Sequence, residues 1–216
     1  MDFSEARIAM CDYLLSEIKD NGVVDAMRSV PREACIPIDS RHLAYDDTPL
    51  PIGFGQTISQ PLIVALMTRE LELKKQDNVL EVGTGSAYQT VILSRMVSRV
   101  TSTERIPQLV TRARSLLLNL GCHNVEVLEA GKALGCTDSA PFDAILVTAG
   151  APRLPQELLA QMTLGGRMVI PIGPRDEQDL VKVVSHEYGY NVSSLGPCRF
   201  VPLLGRGGWT TLSGRQ

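Results

Sequence analysis

The stretch Val79-Leu80-Glu81-Val82-Gly83-Thr84-Gly85-Ser86 reads as a short apolar strand running into a glycine turn. Beyond it Tyr88, Val91, Ile92 and Met96 recur at helical spacing, so the turn opens a helix. Glycine in such a turn lets backbone approach a ligand with no Cβ in the way. Residues 99–103 are rich in β-branched side chains and read as the next strand. Glu104 follows directly, 21 residues past Gly83, where an acid accepts hydrogen bonds from ribose hydroxyls. The sixth position of a G-x-G-x-x-G fingerprint is Tyr88, so the third glycine of a pyrophosphate cradle is missing. The pattern fits a ligand with a nucleoside and no phosphate, of which S-adenosyl-L-methionine is the commonest.

Outward from this unit, strands and helices alternate. Leu109, Val110, Ala113, Leu116, Leu117 and Leu120 form one stripe on a helix over 107–120, stopped by Gly121. Strands follow at 125–128 and 144–148, a helix at 155–162, and strands at 167–172, 180–185 and 199–203. This order predicts an α/β fold whose central sheet is mostly parallel, with helices on both faces. Upstream, residues 1–34 read as a helical lead-in. Ile8, Met10, Leu14, Leu15 and Ile18 make its stripe, Asn21-Gly22 breaks it, and a second helix over 23–30 ends at Pro31. Residues 35–60 read as a loop punctuated by proline and glycine, long enough to be functional. Pro61 then opens a helix to about Leu71, with Ser59 or Gln60 near its N-cap. The expectation is a single domain over 1–216, with its core at 61–209 and a tail at 210–216. Residues 205–209 are expected to be flexible, with Arg206 and Trp209 as candidates to cover the site.

Composition excludes several classes. Hydrophobic residues make up 44% of the 216 and charged residues 21%, as in an ordinary globular protein. The formal charge of -3 argues against a dedicated nucleic-acid binder. The longest apolar run, Leu62 to Met67, is six residues, far short of the ~20 that a spanning helix needs. Asp2, Glu5 and Arg7 leave no secretory apolar region at the start. Five cysteines without C-x-x-C spacing and three isolated histidines predict reduced thiols, no metal site and a cytoplasmic location.

The sequence resembles the protein-L-isoaspartate O-methyltransferases over residues 30–209. The resemblance is carried by Val30-Pro31-Arg32-Glu33, Ala44-Tyr45 and, above all, the run from Leu50 through Gly53-Phe54-Gly55-Gln56-Thr57-Ile58-Ser59-Gln60-Pro61. It continues in Val82-Gly83-Thr84-Gly85-Ser86, Ala140-Pro141-Phe142-Asp143, Gly165-Gly166-Arg167 and Phe200-Val201-Pro202-Leu203. It implies a Rossmann-like methyltransferase fold. It also implies methyl transfer from S-adenosyl-L-methionine to the free carboxyl of L-isoaspartyl residues in damaged proteins or peptides, without nucleic acid, membrane or metal. The ester then collapses to a succinimide, and hydrolysis returns some normal aspartate.

By the same resemblance Ser59 is the active-site hydroxyl. Thr57, Ile58, Glu81, Gly83, Thr84, Gly85, Ser86, Glu104 and Gly131 match cofactor positions. Ile58, Ser59, Val201, Pro202 and Leu203 match the substrate wall. No histidine base is required, because carboxyl pKa values of about 3.3–3.9 leave the acceptor ionised and nucleophilic near neutrality. The protein's task is alignment and exclusion of water.

Two stretches depart from the family. Ala130-Gly131-Lys132 stands where the family has Gly-Asp-Gly, whose acid holds the adenine end, and Ala87 replaces a glycine. Loss of one charge-assisted hydrogen bond costs about 1.5–3 kcal/mol, and Glu129 and Asp138 are the candidates to compensate. The departure keeps two rivals open: a carboxyl methyltransferase for a dedicated peptide, and a non-catalytic protein-binding module that retains the fold.

Overall fold

The computed structural model describes residues 2–205 and 207–209. The chain runs α1 (Ser4–Ile18), α2 (Asn21–Arg28), two 3-10 turns, β1 (Leu50–Gly53), β2 (Gln56–Ile58), α3 (Pro61–Glu70), β3 (Asn78–Val82), α4 (Tyr88–Met96), β4 (Arg99–Glu104), α5 (Pro107–Asn119) and β5 (Val125–Glu129). It continues with β6 (Phe142–Val147), α6 (Gln156–Leu159), β7 (Met162–Ile172), β8 (Gln178–His186) and β9 (Gly189–Cys198). Seven strands form one sheet in the order β5-β4-β3-β6-β7-β8-β9. The five on the β5-to-β7 side pair parallel, and β7-β8-β9 is an antiparallel extension. The expected mostly parallel α/β sheet is therefore present.

Alternation along the strands builds the two faces. Leu80, Val82, Ile145, Val147, Met168 and Ile170 pack in one cluster with Leu158 and Leu159 of α6. Their neighbours Val79, Ala144, Leu146 and Val169 pack in another, with Met67 and Leu71 from the α3 end and Leu93 of α4. A third cluster joins α1 and α2 to α4, α5 and the β1-β2 segment. The N-terminal helices are thus part of the core beside the hairpin.

Sequence and structure differ in five places. Ile8 is 52% exposed, and the buried line of α1 is Met10, Cys11, Leu14 and Ile18. Asn21-Gly22 opens α2 instead of breaking a helix, because left-handed Lys19 ends α1 and the Asp20 carboxylate caps the next helix through Val23 N. The expected loop contains a β-hairpin, with β1 and β2 joined at Phe54-Gly55. Both of these turn residues have positive φ, +55° and +69°, as a two-residue type I′ turn requires. The predicted helix over 155–162 shrinks to α6, since Met162 already belongs to β7. The strand expected at 199–203 is β9 instead, and residues 199–203 form only an isolated bridge, Pro202 to Gly150.

Candidate active site

β3 lies between β4 and β6 in the sheet, and their carboxyl ends open beneath the hairpin. Doubly wound sheets bind ligands at such a point. A cavity of about 270 Å³ occupies it, near the lower end of small-molecule clefts. Gly83, Thr84, Gly85, Ser86 and Glu104 line one side, Thr57, Ile58 and Ser59 another, Val201, Pro202 and Leu203 a third, with Gly131 also at the wall. Of the predicted site residues, only Glu81 is absent from the lining.

The glycine turn needs its glycines. Gly83 has φ +101°, and a Cβ there would lie 2.3 Å from Thr148 Oγ1. Gly85 has φ +53° and faces Ile52 of the hairpin. Thr148 Oγ1 donates to the Gly83 carbonyl at 2.7 Å, fastening the turn to the end of β6. Sequence reasoning missed Thr148, although its place just past a central strand was the available signal. Ala87 holds φ +64° as N-cap of α4 and is fully buried, so this departure keeps glycine's backbone conformation without glycine.

Glu104 stands at the end of β4 with both oxygens engaged. Oε2 accepts from Gly85 N at 2.9 Å and Oε1 from Ile106 N at 2.9 Å. Each oxygen keeps lone-pair capacity for a ligand hydroxyl.

Glu81 plays a different part from the one expected. It is completely buried behind the turn and accepts from Thr90 Oγ1 at 2.5 Å and Ser102 Oγ at 2.6 Å. The Ser102 proton is committed to Glu81, so Thr84 Oγ1 is the donor in its 2.6 Å bond to Ser102. The carboxyl thus anchors the turn from behind and makes no contact with the cavity. Burial pushes its pKa up to about 7, against the lowering effect of Ser102 and Thr90. A raised carboxyl pKa favours the protonated fold. The resulting stability is fully present below about pH 4.3, the unfolded value, and is lost as pH rises through about 7. Glu81→Gln is expected to flatten that slope. The variant should be about 1–3 kcal/mol more stable relative to wild type at pH 8 than at pH 4.5, as urea unfolding at the two pH values will test.

Ser59 Oγ has no hydrogen-bond partner among the described residues and does not cap α3. Asp47 Oδ1 does that work, accepting from Leu62 N at 2.8 Å. The hydroxyl is left free at the cavity wall. Its carbonyl is fixed by Arg32 Nη2 at 2.8 Å.

The wall at 201–203 is tied down rather than loose. Gly150 N donates to Val201 O and Leu203 N to Gly150 O, both at 2.8 Å. Trp209 continues the arrangement, with its backbone N on Leu203 O at 2.7 Å and its Nε1 on Gly150 O at 3.2 Å. Arg175 stacks over the indole at 4.9 Å. Trp209 is therefore held in place, contrary to the flexible end expected for 205–209. Residue 206 and the tail at 210–216 lie outside the described residues. Gly131 lines the cavity, and a Cβ added there would meet nothing within 4 Å. Glu129 and Asp138 are exposed and outside the lining, so neither replaces the missing acid; Lys132 lines the cavity instead.

A family model described as protein-L-isoaspartate(D-aspartate) O-methyltransferase matches residues 9–208. The chain belongs to that family. A protein-L-isoaspartate O-methyltransferase of Methanoculleus marisnigri is 48% identical over 192 residues, 89% of this chain and 87% of that protein. A second, from Pelobacter propionicus, is 52% identical over 194 residues, 89% and 86% of the two chains. Among solved structures, a protein-L-isoaspartate O-methyltransferase aligns with TM-score 0.84 and 25% identity, over 94% of this chain and 67% of the other. A Plasmodium falciparum relative in complex with S-adenosyl-L-homocysteine aligns with TM-score 0.78 and 27% identity, over 89% and 95%. Several stretches that carry the isoaspartate methyltransferase resemblance are scaffold: Asp143 accepts from Asn78 N, and Arg167 joins Asp77 to the carbonyls of Leu71, Glu72 and Asp143.

Among the described residues no helix is long and apolar enough to cross a membrane. The same residues contain no group of three or more His, Cys, Asp or Glu able to hold a metal ion.

Proposed function

We propose that this chain methylates the free carboxyl of L-isoaspartyl residues in damaged proteins and peptides, using S-adenosyl-L-methionine, as one domain working in the cytoplasm. The observation that carries the reading is a free Ser59 hydroxyl sharing one cavity with the Gly83 turn and Glu104. The cofactor fits the residues present: a Cβ-free turn at Gly83 and Gly85, and a carboxylate already fixed by two backbone donors. When bound, it supplies an activated methyl on a sulfonium. Glu104 would accept from the ribose hydroxyls, and Thr57, Ile58, Thr84 and Ser86 would line the rest of the cofactor's site. Ser59 Oγ donates to the acceptor carboxylate and aims it, while Ile58 and the wall at 201–203 hold substrate main chain and keep water away. Positioning of a nucleophile that is already ionised is the whole task.

The test is transfer of labelled methyl from S-adenosyl-L-methionine to an isoaspartyl peptide and to its aspartyl twin. Transfer to the first alone supports repair. Silence with both, despite tight binding of S-adenosyl-L-homocysteine, would favour the dedicated-substrate reading that Gly131 keeps open.

Gly131 also yields a prediction. Gly131 lines the cavity and its Cβ position is open, so Gly131→Asp starts a carboxylate side chain at the cavity wall. If the family's acid can be restored there, calorimetry should show S-adenosyl-L-homocysteine bound about tenfold tighter, the yield of one charge-assisted hydrogen bond.

A further inference from the structure

Arg32 is fully buried, and among the described residues no carboxylate lies within hydrogen-bond distance of it. Arg167, the other buried arginine, has Asp77. Arg32 instead spans two carbonyls, Nε to Ala44 O and Nη2 to Ser59 O, each at 2.8 Å. Its guanidinium lies 4.7 Å from the centre of the Tyr88 ring. Nη1 and the buried Tyr88 hydroxyl both lack a partner. Arginine keeps its proton even so, Asp47 acts on it only through space, and a buried charge without a hydrogen-bonded carboxylate is costly.

We propose that Arg32 is a positioning residue for the methyl acceptor: it clamps the Ser59 main chain and provides the positive charge that selects an ionised carboxylate. This rests on the reading that Ser59 faces an isoaspartyl carboxylate. The clamp fixes the backbone from which the free hydroxyl projects. The charge sits one hydrogen bond from that same residue, within a region of low dielectric where attraction is weakly screened. Methyl transfer cancels the carboxylate's negative charge, so the cation favours the bound acceptor over the transition state. Loss of the charge therefore raises KM without lowering kcat, whereas loss of the clamp lowers kcat.

Two variants separate these effects. Arg32→Gln removes both the charge and the clamp, whereas Arg32→Lys keeps the charge and loses only the clamp, so their difference reports the charge. The probes are an isoaspartyl peptide as substrate and its α-carboxamide analogue as competitive inhibitor, with S-adenosyl-L-homocysteine binding measured alongside. Wild type is expected to prefer the carboxylate peptide by about tenfold or more. In Arg32→Gln that preference should fall toward one and KM rise about tenfold, with cofactor affinity held within about threefold. In Arg32→Lys the preference should persist while kcat falls about tenfold.

An unchanged preference in Arg32→Gln overturns the proposal, because a merely structural arginine would weaken both peptides alike. If Arg32→Gln does not fold, Arg32→Lys decides: reduced kcat with preference intact supports the proposal, and wild-type kcat overturns it. A wild type that binds S-adenosyl-L-homocysteine yet methylates no isoaspartyl peptide overturns the functional reading itself, and the proposal with it.

Discussion

Gly83→Ala is expected to destabilise the protein by about 2–4 kcal/mol and to weaken S-adenosyl-L-homocysteine binding at least a hundredfold. The added Cβ meets Thr148 Oγ1 at 2.3 Å, and overpacking of this kind costs about 1–3 kcal/mol. The residue must also keep φ +101°, which costs an L-residue about 1–2 kcal/mol. Reduced freedom of the unfolded chain returns about 0.4–1 kcal/mol. Thr148 cannot simply turn away, because its hydroxyl donates to the Gly83 and Val82 carbonyls. The least costly relaxation is a shift of the turn, which moves the backbone that faces the ligand. A double-mutant cycle with Thr148→Ala isolates the clash: the two substitutions should couple favourably by about 1–2 kcal/mol. Additive losses in urea unfolding would show that the clash is not what destabilises Gly83→Ala.

The turn was legible because everything that specifies it is local. A strand, two glycines and a helix face within one short stretch declare the geometry, and the β-branched run before Glu104 declares the next strand. The hairpin was not legible for the opposite reason. Pro51, Gly53 and Gly55 read as punctuation, and only the pairing of Leu50 with Ile58 across the turn reveals two strands. β9 escaped detection because it is a largely exposed edge strand, with Tyr190 and Val192 on the surface. Backbone pairing to β8, rather than burial of alternate side chains, makes it a strand.

Glu81 shows where a motif misleads even when its position is right. Strand alternation places it on the face opposite Leu80 and Val82, away from the cavity. The sequence placed it beside the glycines and so suggested contact with the ligand. Thr90 and Ser102, which tie it to α4 and Thr84, lie 9 and 21 residues from Glu81 and meet it only in the fold. Arg32 has the same character, since its two acceptors lie 12 and 27 residues away. Residues that line the cavity through a local turn can be read from sequence; residues that hold the lining ones cannot.

Glu104→Gln is expected to weaken S-adenosyl-L-homocysteine binding by a hundred- to a thousandfold, although the two side chains have nearly the same shape. A carboxylate can accept on both oxygens, and here Gly85 N and Ile106 N each donate to one of them. Gln has one acceptor and one donor end, so one backbone N–H must face an amide N–H. The unpaired donor costs about 1–3 kcal/mol, and the fold without ligand should lose roughly that much stability. Binding loses more. Hydrogen bonds from ribose hydroxyls to an ion become bonds to a neutral amide, at about 1.5–3 kcal/mol for the charge-assisted kind. Displacement of Gly85 then carries the damage into the turn that the ligand rests on. Adenine and methylthioadenosine serve as the control ligand pair: affinity for the nucleoside should collapse while affinity for the free base, which has no ribose, changes little. Equal losses for both would mean that Glu104 shapes the turn and does not anchor the ribose.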